Sequence, residues 1–98
     1  MSVAAKKHSG LKRKFTVQAT PGSEVYLAGC FTGWREREIP LKDDGNGNFE
    51  AEVELEPGVY QYKFIVNGNW MLDLDNSDIT VNGMGTLNNV LKVEETEN

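Results

Sequence analysis

Hydrophobic and polar residues alternate along most of this chain. In LKRKFTVQA, residues 11 to 19, Phe15, Val17 and Ala19 fall on one side and Lys12, Lys14, Thr16 and Gln18 on the other, the period of a half-buried strand. Pro21 and Gly22 stop it, and EVYLAG, residues 24 to 29, predicts a second strand with Val25 and Leu27 pointing one way. A loop, CFTGW, follows, and then a short stretch through Ile39 and Leu41. FEAEVELE, residues 49 to 56, puts Phe49, Ala51, Val53 and Leu55 inward and four glutamates outward. Pro57 and Gly58 turn the chain into VYQYKFIV, with Tyr60, Tyr62, Phe64 and Val66 on one face and Val59, Gln61, Lys63 and Ile65 on the other. A last strand is predicted from about Asn88 to Val93, and helical periodicity is absent over any useful length. About seven short antiparallel strands, with turns every 8 to 12 residues or so, predict an all-β, immunoglobulin-like (early-set) sandwich.

Two turns carry most of the register. DDGNGN, residues 43 to 48, is dense in residues that accept positive φ and joins paired strands; it resembles a calcium-ligand string in composition but lacks the downstream glutamate of an EF-hand. Asn67 and Gly68 are a two-residue hairpin signal. They pair Val66 with Asn69, Ile65 with Trp70 and Phe64 with Met71, because such a loop fixes the register. Trp70 then shares the outward face with Lys63, while Met71 is expected to join Phe64 in the core.

The 98 residues make one domain, expected at 11–94 between a flexible tail at 1–10 and a short one at 95–98. Cys30 is the only cysteine, so no internal disulfide forms and a reducing compartment suits the chain. A buried or half-buried apolar role is expected for it. The first ten residues lack a secretory core and no run reaches membrane-spanning length, which makes the cytoplasm the expected address. Net charge is −5 although Lys6, Lys7, Lys12, Arg13 and Lys14 cluster near the start, so the remainder is more acidic still. That balance argues against nucleic acid and favours a neutral ligand.

An enzyme is disfavoured: no nucleophile and base pair, metal cluster or phosphate loop appears, and the only histidine, His8, lies in the tail. No cofactor is implied. Trp70 on a polar sheet face asks for a cover, which could be another segment of the chain or a ligand. Trp34 could equally be the core tryptophan of a sandwich. Two exposed indoles near a lysine and amides would suit a sugar, whose C–H faces lie flat on an aromatic plate while its hydroxyls need fixed partners, here Lys63, Thr86 and Asn88. Covering about 60 to 80 Å² of indole per sugar contributes ~1.5–2 kcal/mol each. After ordering losses, dissociation constants on the order of 10 to 1000 μM follow.

LAGCFTGW, QYKFIVNGNW and GMGTLNNVLKV, in this order and spacing, resemble the carbohydrate-binding module of the β subunit of AMP-activated protein kinase. This is family 48 of such modules, which also precedes the catalytic domains of glycogen branching and debranching enzymes. The resemblance runs from about Phe15 to Val93. It implies non-catalytic binding of α-1,4-linked glucan such as glycogen, starch or maltooligosaccharides. The site it implies is Trp34, Lys63, Trp70, Met84, Thr86 and Asn88, with Met84 standing where the kinase subunits usually carry leucine. Thr32 and Gly33 replace the family's two asparagines before the first tryptophan. LDLDNSD, residues 72 to 78, stands where an Asp-Pro pair is common, and its acidic residues are expected to face solvent. The alternative is a protein-interaction or regulatory module that docks onto a glycan-metabolising enzyme or a kinase.

Overall fold

The computed structural model describes residues 11–81 and 85–94. Both expected tails, 1–10 and 95–98, lie outside the described residues, as does Met84. Nine strands occur among them: β1 (Leu11–Gln18), β2 (Val25–Gly29), β3 (Ile39–Pro40), β4 (Lys42–Asp43), β5 (Asn48–Leu55), β6 (Gly58–Val66), β7 (Asn69–Met71), β8 (Ile79–Val81) and β9 (Leu87–Val93). The expectation of about seven is exceeded by very short pieces, since β3 and β4 have two residues each. A 3-10 turn, Cys30–Thr32, follows β2.

The strands form two antiparallel sheets in a sandwich-like arrangement. The narrow sheet runs β1-β5-β4 and the wide one β3-β2-β6-β9-β8, with β7 also paired to β6. The chain crosses between sheets at Leu41, which is buried between β3 and β4. Alternation explains the core. Phe15, Phe49 and Leu55 from the narrow sheet meet Val25, Leu27, Tyr62, Phe64 and Val93 from the wide one. The Phe15 ring stands edge-on to Tyr62 at 5.0 Å. Burying these side chains contributes about 1.5–3 kcal/mol each before entropy is counted, which lets so small a domain fold without a disulfide.

The hairpin forms in the predicted register, Val66 opposite Asn69, Ile65 opposite Trp70 and Phe64 opposite Met71. Asn67 and Gly68 both take positive φ, 49° and 84°, as a type I′ turn needs. Asn67 also anchors the hairpin. Its Oδ1 accepts from the Glu24 amide at 3.0 Å and its Nδ2 donates to Ser23 Oγ at 3.1 Å. The 43–48 turn is tied the same way, with Asp43 accepting from the amides of Gly22 and Gly45, and Asp44 from Asn46 and Asn48. These bonds hold both carboxyls below their ordinary range. The Asp-rich string is therefore a turn whose oxygens are occupied by the chain itself.

Three expectations are corrected. Met71 does not enter the core but is 43% exposed. The register sets it opposite buried Phe64, yet β7 is a three-residue strand paired to β6 and all three of its residues are exposed. Cys30 is exposed on the 3-10 turn, where its sulfur accepts the Gln61 amide at 3.4 Å. Asp73 does not simply face solvent. It is half-buried and accepts the Tyr62 hydroxyl at 2.7 Å, while Asn89, fully buried, ties its side-chain amide to the carbonyls of Asp73 and Asn76. Burial, with the Asp73 carboxylate beside it, pushes the Tyr62 hydroxyl well above its ordinary pKa. Asp75 and Asp78 are exposed as expected.

Candidate binding surface

The outward face of the wide sheet is built by strand parity. Antiparallel partners point the same way, so Tyr26 and Ala28 of β2, Gln61, Lys63 and Ile65 of β6, Trp70 of β7 and Asn88 and Val90 of β9 share one side. Two of these are as buried as core residues although they face outward: Ala28 is 0% and Ile65 3% exposed. An apolar floor on an outer face needs a cover. Trp70, directly across from Ile65, is one part of it and is itself 41% exposed.

Trp34 supplies the second part from a different element. Thr32 Oγ1 donates to the Gly29 carbonyl at 3.0 Å and accepts the Gly29 amide at 3.3 Å, closing the 3-10 turn on itself. Thr32 is buried, so the residue standing in place of one family asparagine knits the loop rather than facing outward. Gly33 and Trp34 then both adopt left-handed backbone, φ 67° and 61°, and the Trp34 amide donates to Gly29 at 2.9 Å. This reversal returns the indole to the sheet, where its ring lies 6.3 Å from that of Trp70 with the planes 49° apart. Trp34 is half-buried and takes no place in the core cluster. A left-handed conformation is uncommon for a bulky residue and costs roughly 1–2 kcal/mol, so the loop spends local strain to aim this ring.

Gly29 makes the junction possible. A Cβ there would stand 2.6 Å from the Gln61 carbonyl oxygen and 2.6 Å from the Phe31 ring, so the end of β2 can lie this close to β6 only without a side chain.

Lys63 lies on the same face, opposite Ala28, half-buried and without an ion pair among the described residues. Asn88 is on β9 and only 4% exposed; its Nδ2 donates to Gln61 Oε1 at 2.9 Å. Thr86 is exposed just before β9. The structure thus puts Trp34, Lys63, Trp70 and Asn88 on one face, with Thr86 at its margin. Gln61 was absent from the expected set, although its parity with Lys63 already placed it on this side.

What this surface can do follows from its composition. Two indoles inclined to each other form an angled apolar shelf, bordered by an ammonium and side-chain amides. Such a shelf fits a ligand with flat C–H faces and a hydroxylated rim. Among the described residues no group of His, Cys, Asp and Glu is arranged to hold a metal ion.

The glycogen recognition site of AMP-activated protein kinase, as a family model, matches residues 14–98. The chain is 41% identical over 76 residues to 5'-AMP-activated protein kinase subunit beta-1 of Homo sapiens and of Rattus norvegicus, covering 78% of this chain. It is 36% identical over 76 residues to subunit beta-2 of Mus musculus. In each case the match spans 27% of the relative's own length. The chain therefore belongs to the family of the glycogen recognition site of AMP-activated protein kinase, a carbohydrate-binding module.

Proposed function

We propose that this domain binds α-1,4-linked glucan on the outward face of its wide sheet, by stacking glucose rings on Trp34 and Trp70. The observation that carries this reading is the angled pair of indoles above a buried outer floor of Ala28 and Ile65. A helical glucan presents successive rings at changing orientation, and two inclined plates meet two such rings where parallel plates would meet one. Lys63, Thr86 and Asn88 border the shelf and bring hydrogen-bonding groups to the sugar rim; Met84 completes the set that the resemblance implies. The domain acts by binding and carries out no reaction.

The named relatives are β subunits of a kinase, and we extend the proposal to a kinase assembly as the protein partner, with the cytoplasm as the compartment. The absence of an intrachain disulfide supports a reducing address.

The test is titration of the domain with a linear maltooligosaccharide and with β-cyclodextrin, followed by tryptophan fluorescence, with Trp70→Ala as control. A saturable change that disappears in the folded variant is the expected result. A flat response from the folded wild-type domain overturns the proposal.

A further inference from the structure

Asn88 is nearly enclosed and already paired through one of its donors. It is 4% exposed, and its Nδ2 is engaged by Gln61 Oε1 at 2.9 Å. Gln61 is the more accessible member of the pair, half-buried on the outward face two residues before Lys63. Its oxygen accepts from Asn88, and its Nε2 donates to no described residue. A primary amide carries two N–H donors, and leaving them unused at a partly dry surface is unfavourable unless water or a ligand takes them.

The backbone around Gln61 is held as firmly as its side chain. Its amide donates to Cys30 Sγ at 3.4 Å, and its carbonyl lies against Gly29, where no Cβ fits. The side chain therefore leaves a fixed strand at a fixed point, with its oxygen restrained by a buried partner. That arrangement leaves the Nε2 donors as the end available to a ligand.

Resting on the glucan reading above, we propose that Gln61 is a ligand-contacting residue of this site: its Nε2 donates to a sugar hydroxyl oxygen. Asn88, besides its own place at the rim, holds the Gln61 oxygen and so fixes which end of that amide faces the ligand. The occupant is the same neutral polyhydroxylated chain that stacks on the indoles. One donor added to the rim sharpens recognition of its hydroxyl pattern without adding charge.

Two variants separate this role from simple support of Asn88. Gln61→Met keeps the side chain's length and removes both polar atoms. Gln61→Glu keeps an oxygen to accept from Asn88 Nδ2 and removes the donor. Calorimetric titration with maltoheptaose is expected to show both variants weakened by a similar factor, about 3–10-fold, the range for one neutral hydrogen bond. The Asn88 side-chain amide resonances should keep their wild-type position in Gln61→Glu and shift in Gln61→Met. Wild-type affinity in Gln61→Glu overturns the proposal, because a mere prop for Asn88 would survive that change. Should Gln61→Met fail to fold, Gln61→Glu decides alone. Failure of the underlying glucan reading looks different, since the wild-type domain itself would then show no heat with maltoheptaose.

Discussion

The Trp34 indole meets the Trp70 indole at 6.3 Å and 49°, one delivered by a loop after β2 and the other by a hairpin strand on β6. Each ring helps orient the other, so they act as one surface. Trp34→Ala and Trp70→Ala should each weaken glucan binding by tenfold or more, at roughly 1.5–2 kcal/mol per stacked sugar. Their combined loss should differ from the sum by at least about 0.5 kcal/mol, the signature of directly coupled residues. A double-mutant cycle on affinity measures this.

The left-handed backbone at Trp34 gives a reversal of the usual ranking. Glycine is ordinarily the costlier replacement because it loosens the unfolded chain, but here it also relieves positive φ. Trp34→Gly should be more stable than Trp34→Ala by about 1 kcal/mol. Urea denaturation of the two variants checks the order; alanine equal or better would remove the strain argument.

Asn67 serves the turn through its backbone and the Ser23–Glu24 segment through its side chain. Asn67→Gly keeps the turn and loses those two bonds, a cost of about 1 kcal/mol. Asn67→Ala loses both functions and should cost about 1 kcal/mol more, since alanine resists positive φ. Thermal melts of the pair separate the contributions.

At Gly29 the obstacle is backbone and ring at 2.6 Å, which a rotamer change does not remove. Gly29→Ala should destabilise the domain by at least about 2 kcal/mol, as overpacking against a fixed neighbour does. It should also weaken glucan binding by displacing the loop that carries Trp34. Chemical denaturation and the maltooligosaccharide titration read the two effects on one protein.

Asp43 sets part of the acid limit. Amides of Gly22 and Gly45 lower its folded-state pKa below the ordinary 3.8. A lowered carboxyl contributes stability that is fully present above the unfolded value and is lost as pH falls through the folded one. The wild type should therefore lose melting temperature below about pH 4, and Asp43→Asn, less stable at neutral pH, should lose less. The two curves converge towards low pH; parallel curves would show that Asp43 plays no such part.

Period-2 alternation and the Asn67-Gly68 turn made the face and register of β6 and β7 legible, down to Trp70 opposite Ile65. Alternation assigns a side, however, not whether a three-residue strand at that position is covered. That is why Met71 lies opposite Phe64 and still meets solvent. Trp34 was ambiguous between core and surface because two successive left-handed residues decide where its ring goes, and glycine at 33 signals only the first. Asp73 reads as solvent-facing in the sequence because its partner, Tyr62, approaches from another strand. The family motifs point to Asn88, and parity alone puts Gln61 on the same face, whereas the hydrogen bond that joins the two amides is visible only in three dimensions.

Because both of the chain's tryptophans occupy one patch, its intrinsic emission is a local spectroscopic reporter. Far-UV circular dichroism samples both sheets, whereas indole emission samples the junction of β2, β6 and β7 alone. If the two signals melt together, the ligand face and the remote 43–48 turn unfold as one cooperative unit. If emission changes first, the shelf opens while the sandwich persists, and the same fluorescence that reports ligand binding also reports how far the empty site is ordered in advance.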